Sequence, residues 1–292
     1  MIRAFPYPGS KCKAVSKLLS IYPEHKIYVS LFGGSGVDIL YKDPSKVEVF
    51  NDVDQHVITF FRVLQTDYMR DELKRRLAET AYSRREFEIA INSLQSQRLL
   101  RRLRRSRPKK TMQPLYKRLN DTLTVEYDFD PVSRALHWMI GTWQGRQSHC
   151  PLTVAAASWG NGAATHNPVQ KWQMLDTCID ATASRFRRIY LDCRDWSKVL
   201  PEHDSPDTFY FVDPPYMLST IARKDQYAHV LSDDDHFMLL DALNAIQGKA
   251  IIFGNRSPVY DEMLAHWIRI KTFREFAWVN FEVPRLDLAS GS

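Results

Sequence analysis

Lys26-Ile27-Tyr28-Val29-Ser30-Leu31-Phe32-Gly33-Gly34-Ser35-Gly36, followed closely by Val47-Glu48-Val49-Phe50-Asn51-Asp52, decides the fold class. The first stretch is an apolar run closed by glycines, the pattern of a buried strand that ends in a tight turn. A short helix-like segment joins it to a second strand. Strand, turn, helix and strand in that order make a parallel pair with a crossover helix, which predicts an open α/β sheet.

Outward from this unit, Asp54 to Leu77 has helical spacing, with Val57, Ile58, Phe61, Val63 and Leu64 as apolar positions. Strand character returns at Arg188–Cys193, Thr208–Val212 and Ala250–Phe253. Ser232 is placed to cap a helix, with Asp233, Asp234 and Asp235 in its first turn and Gly248 near its end. The region between is different. It is arginine-rich, holds two helices before Arg107, passes through Trp138, Trp143, Trp159 and Trp172, and turns loop-rich from Gly141 to Pro168. The expected organisation is a catalytic sheet built from residues 1–66 and 185–292, with 67–184 inserted as a mainly helical, loop-rich unit.

The 292 residues are 44% hydrophobic and 25% charged, as in an ordinary globular protein. No apolar run approaches the ~18 residues needed to cross a bilayer, and Met1 to Pro6 has no signal-peptide character. Cys12, Cys150, Cys178 and Cys193 form no CxxC pair, which disfavours a zinc site or a disulfide framework and predicts a reducing, cytoplasmic setting. The formal net charge is +6. Much of it sits between Gln97 and Leu119, where Arg101, Arg102, Arg104 and Arg105 belong to a run without acids. Such a run is either a solvated face or a phosphate-binding footprint.

Three elements carry chemistry. Gly33-Gly34-Ser35-Gly36 lies at the carboxyl end of a strand, where α/β sheets bind ligands, and no GK[ST] follows to make it a nucleotide-hydrolysing loop. Asp52, at the end of the next strand, is placed either to accept ribose hydroxyls or to cap a helix. Asp213-Pro214-Pro215-Tyr216 directly follows the strand Phe209–Val212. Its prolines remove two amide donors, leaving a carboxylate and carbonyls as acceptors beside an aromatic face. An amino group on a flat base is the ligand that such a turn suits.

At this point the sequence resembles a family. Asp-Pro-Pro-Tyr is the motif of the amino-methyltransferases, and the chain looks like the Dam-type (D12 class, α arrangement) DNA adenine-N6 methyltransferases. Phe5-Pro6-Tyr7-Pro8-Gly9-Ser10-Lys11 resembles the family's N-terminal element, Phe32-Gly33-Gly34-Ser35-Gly36 its glycine motif, and Asn51-Asp52 its ribose-binding segment. Tyr227-Ala228-His229 with Asp235-His236, and Glu275 to Asn280, resemble its C-terminal elements. The resemblance implies a Rossmann-like sheet that binds S-adenosylmethionine through Tyr7, Lys11, Phe32, Gly33, Gly34, Gly36, Asp52 and Asp213, releases S-adenosylhomocysteine and uses no metal. It further implies catalysis by Asp213, Pro214, Pro215 and Tyr216, acting on N6 of an adenine flipped out of double-stranded DNA. Asp195 and Trp196 are expected near the target base, and the arginine run near phosphates. A restriction endonuclease partner is compatible with the resemblance. Only Gly145-Arg146 and Gly160-Asn161-Gly162 are vaguely similar to the family's Arg- and Asn-containing segment, and Ile252-Phe253-Gly254-Asn255 departs from its Ser-Gly-Tyr. N4-cytosine or RNA adenine methylation, and a catalytically silent nucleic-acid binder, stay open as alternatives.

Overall fold

The computed structural model describes residues 4–105, 130–145, 152, 159–160, 168–221, 228–273 and 275–283, with side chains left out at 97–105 and 168. The strands are β1 (Ile27–Ser30), β2 (Val47–Asn51), β3 (Tyr190–Asp192), β4 (Thr208–Val212), β5 (Lys249–Gly254), β6 (Ile268–Lys271) and β7 (Phe276–Val279). They form one seven-stranded sheet in the order β3-β2-β1-β4-β5-β7-β6. Neighbouring pairs from β3 to β5 are parallel, and β7 runs antiparallel to both β5 and β6. This mixed, mostly parallel α/β sheet is consistent with a methyltransferase fold.

The helices are α1 (Cys12–Leu18), α2 (Val37–Tyr41), α3 (Gln55–Gln65), α4 (Asp67–Glu79), α5 (Arg84–Arg105), α6 (Pro131–Gln144), α7 (Pro168–Gln173), α8 (Leu175–Phe186), α9 (Trp196–Glu202), α10 (Asp233–Ala245) and α11 (Pro258–Met263). They cover both sheet faces, and strand alternation assigns the side chains. Phe209 and Phe211 of β4, with Ile251 and Phe253 of β5, join a core with Phe60, Phe61, Leu73, Trp138 and Phe186. Tyr210 and Val212, with Ala250 and Ile252, join the opposite core with Trp196, Leu200, Leu239, Leu243 and Tyr260. A central strand buried on both faces reads as an uninterrupted apolar run, which is why β4 is so plain in the sequence.

The structure differs from the sequence reading in several places. The helix expected from Asp54 to Leu77 is two helices, because Thr66 is extended (φ −111°, ψ 113°) between α3 and α4. Asp54 caps α3 by accepting the His56 N–H. The Ser232 cap forms as expected and is a full capping box with Asp235, but α10 ends at Ala245 and Ile246 is extended. Gly141 lies inside α6 rather than in a loop. Most of the remaining Gly141–Pro168 stretch lies outside the described residues.

The described helices α4, α5, α6 and α8, all within 67–184 apart from the end of α8, share the first core with the sheet. Trp138 of α6 is fully buried; its ring stacks parallel to His56 of α3 at 5.9 Å and meets Phe5 edge-on at 5.5 Å. A buried salt bridge helps fix α8. Glu48 of β2 accepts from Lys42 at 2.6 Å and takes both guanidinium arms of Arg185. Burial alone would raise the Glu48 pKa, but Arg185 and Lys42 outweigh it and hold it below the usual value. Trp138→Ala is expected to cost about 3–5 kcal/mol, read as a fall in the urea unfolding midpoint. A change below about 1 kcal/mol would show that the α3–α6 packing does not rest on this ring.

Candidate functional site

The cleft lies over the carboxyl ends of β1, β2 and β4, where parallel strands leave room for a ligand. Tyr7 to Lys11, Phe32 to Ser35, Val37, Asp38, Asp52, Val53, Phe211, Asp213 to Pro215 and His229 line it. Sequence segments separated by more than 150 residues are therefore brought to one wall. Among the expected residues, Tyr7, Lys11, Phe32, Gly33, Gly34, Asp52, Asp213, Pro214 and Pro215 all line this cleft. Gly36 caps the start of α2, and Tyr216 is buried with its ring 4.9 Å from the Lys11 ammonium.

The glycine turn is held from below. Gly34 has φ +54°, and a methyl group there would sit 3.2 Å from Tyr7 ring carbons, so the turn is left-handed with Tyr7 packed on it. Asp52 accepts the Gly34 N–H through Oδ2 at 2.8 Å and the Asp54 N–H through Oδ1 at 2.8 Å. Asn51 completes the junction, donating to the Leu31 carbonyl at 3.0 Å. Of the two sequence readings of Asp52, helix capping falls to another residue. Asp54 is the helix cap, and Asp52 ties the turn after β1 to the end of β2. Burial first, and the nearby Asp54 second, raise its pKa to about 7 in spite of the two backbone donors.

Asp213 ends β4 inside the cleft. The Lys11 ammonium lies 2.9 Å from its Oδ1 and 3.9 Å from Glu275 Oε1, and donates to the Gly9 carbonyl at 2.7 Å. Burial is the largest influence on Asp213 and raises its pKa to about 6; Lys11 pulls it down, while Glu275 and Asp38 push it further up. Behind the loop, buried His236 pairs its Nδ1 with the Tyr260 hydroxyl at 3.1 Å. Asn255 donates to the Thr220 carbonyl at 3.2 Å, which anchors the segment after the motif to the end of β5.

Asp195 and Trp196 take other places. Asp195 caps α9 by accepting the Ser197 N–H at 3.0 Å and its hydroxyl at 2.6 Å. Trp196 is buried in the core beneath the sheet face that α9 covers, and neither residue lines the cleft. Capping and core packing account for both. The backbone of Arg101, Arg102, Arg104 and Arg105 belongs to α5, and their side chains lie outside the described residues. So does Tyr227.

Asp38 and Val53 were not singled out from sequence. Asp38 is buried in the first turn of α2, takes the Tyr28 hydroxyl at 3.0 Å, and is raised in pKa chiefly by burial. An acid two residues after the glycine turn, in a helix whose other residues are apolar or aromatic, was the available signal. Val53 is half-exposed at the cleft beside Asp52 and offered no signal beyond its position.

No curated protein matches the chain. Residues 7–130 do match a family model, that of the D12 class N6 adenine-specific DNA methyltransferases. The match spans Tyr7, Lys11, the glycine turn and Asp52, and the Asp213 loop that shares their cleft lies beyond it in sequence. Over that N-terminal stretch, which builds half of the cleft, the chain is similar to the D12 class N6 adenine-specific DNA methyltransferase family.

Proposed function

We propose that this chain methylates N6 of adenine in DNA, with S-adenosylmethionine as methyl donor. The observation that carries the reading is the meeting of the Asp213-Pro214-Pro215 turn and the Gly33–Gly36 turn in one cleft. One wall suits a cofactor and the other an amino group. Asp52 and the glycine turn fit the ribose-bearing part of the donor. Each Asp52 oxygen carries one backbone N–H bond, and a carboxylate has roughly four acceptor sites, so acceptor capacity remains for hydroxyls. Phe32 and Val53 supply apolar contact. When bound, S-adenosylmethionine supplies a methyl group already activated by its sulfonium.

The protein's part is to orient and polarise the amine. Asp213 and the Pro214 carbonyl accept the two N–H bonds of the target amino group, which directs its lone pair toward the donor and stabilises positive charge as it develops on nitrogen. With a pKa of about 6, Asp213 is too weak a base to deprotonate the neutral amine beforehand. It is well suited to take the proton once nitrogen has become cationic. Tyr216 offers a ring face for the base, an interaction worth ~1–3 kcal/mol.

The division into a catalytic unit (1–66 and 185–292) and a DNA-reading insert (67–184) belongs to the same proposal. Its support is that every described strand lies outside 67–184. The arginine run of α5 is assigned to phosphate contacts on its charge and its place in that insert.

Incubation with DNA and labelled cofactor, followed by nucleoside analysis, is expected to yield N6-methyladenine. Asp213→Ala should lower turnover by about 10²–10³-fold or more with cofactor binding retained. N4-methylcytosine as the main product, or label found only in RNA, would overturn the base or the substrate; turnover within a few-fold of wild type in Asp213→Ala would overturn the mechanism.

The raised pKa of Asp52, about 7, gives cofactor binding a pH dependence. Ribose hydroxyls are better received by the ionised acid, which is lost as pH falls through 7. Calorimetry with S-adenosylhomocysteine should show affinity weakening from about pH 8 to pH 6, and Asp52→Asn should bind weakly with a flat profile. An unaltered profile in Asp52→Asn would remove Asp52 from the ribose site.

Replacing Arg101, Arg102, Arg104 and Arg105 together by Gln should flatten the plot of log DNA affinity against log salt, with a slope smaller by up to about four. An unchanged slope returns the run to a solvated face.

A further inference from the structure

We propose that Lys11 is a positioning residue for Asp213: its ammonium neutralises Oδ1 within the cleft and holds the carboxylate ionised, with Oδ2 turned to the substrate amine. The inference rests on the methyltransferase reading of the cleft. It departs from the role that sequence resemblance implies for Lys11, which is contact with the cofactor.

The geometry is specific. Lys11 is 3% exposed and stands just before α1. The preceding turn, with Gly9 at φ +75°, presents the Gly9 carbonyl to the ammonium at 2.7 Å. Asp213 Oδ1 takes a second donor at 2.9 Å, and the Tyr216 and Phe253 rings lie 4.9 and 5.8 Å away. An ammonium held between the motif's carboxylate and the ring of its tyrosine occupies the neighbourhood in which the target amine must become cationic. It leaves one carboxylate oxygen for that amine.

Charge makes the pairing matter. The groups that face Asp213 are Lys11 before α1, Glu275 before β7, Asp38 in α2 and the Tyr260 phenol in α11. Of these only Lys11 is positive. Burial and the two acids favour the protonated form of Asp213, and Lys11 opposes them. A protonated Asp213 loses acceptor strength at the oxygen that carries the proton. Without Lys11 the carboxyl should titrate higher, so that less of it is ionised near neutral pH and the acidic limb of methyl transfer moves upward.

The test follows the Asp213 carboxyl by carbon-13 NMR in wild type, Lys11→Met and Lys11→Gln, with Asp213→Asn assigning the resonance. The midpoint, near 6 in wild type, is expected to rise by about one to three pH units in both uncharged variants. Lys11→Arg should keep it near the wild-type value. In parallel, single-turnover methyl transfer at saturating cofactor should show its acidic limb shifted upward by the same amount. Two uncharged substitutions guard against one that fails to fold, and thermal midpoints identify such a failure. An unmoved Asp213 midpoint in folded variants, or a defect confined to cofactor affinity, overturns the proposal. Because the NMR arm needs no substrate, a wild-type protein that methylates nothing would refute the enzymatic reading while the Lys11–Asp213 coupling is still measured.

Discussion

The arrangement of the cleft depends on the Asp52 carboxylate and its two backbone bonds, one to the Gly34 N–H and one to the Asp54 N–H. Parallel strands finish with unpaired backbone groups, and those groups must be satisfied or solvated. Asp52 satisfies one amide from the turn after β1 and one from the entry to α3. Its two oxygens therefore fix the glycine turn and the start of a helix relative to each other. The Gly33 N–H bond to the Asn51 carbonyl and the Asn51 bond to Leu31 close the same junction. Three adjacent segments become one rigid edge, against which a ligand can be oriented at little cost in loop ordering.

That edge is also where the molecule concentrates its buried acids. Asp38, Asp52 and Asp213 all line the cleft, and burial raises the pKa of each. Clustered carboxylates in a poorly solvated site cannot all be ionised without cations. Lys11 meets this need at Asp213, and Asp38 has the Tyr28 hydroxyl. Under the proposed function, these acids would face a sulfonium on one side and a nitrogen that turns cationic on the other. Electrostatic preorganisation of this kind costs folding stability and repays it in the transition state.

The parts of this structure that were legible in sequence are those where two levels of pattern agree. β4 and the centre of β5 are continuous apolar runs because both sheet faces are covered, and the Ser232 cap is an explicit side-chain signal. The cleft residues announced themselves as glycines or as a proline-rich motif at strand ends. β6 did not, since Ile268-Arg269-Ile270-Lys271 is an edge strand with only Ile270 buried, and its pairing with β7 is settled by tertiary contact. Asp195 and Trp196 are ambiguous for the opposite reason. An acid followed by an aromatic is equally good as a helix cap followed by a core anchor, and sequence does not distinguish the two.

The described helices of the middle region were harder to read because the apolar faces of α4, α5 and α6 join the core that also packs on the sheet. Trp138 lies against His56 and Phe5, so α6 completes the same core that supports the sheet. This has a mechanical consequence. α3 begins at the Asp54 cap, and Asp54 donates its N–H to the Asp52 clamp. Because cores are close-packed, a displacement of α6 against α3 cannot be absorbed by empty space and must be passed on or resisted. The region assigned to reading DNA and the residues assigned to holding the cofactor therefore share one helix, with the Trp138–His56 stack at one end of the connection and Asp52 at the other.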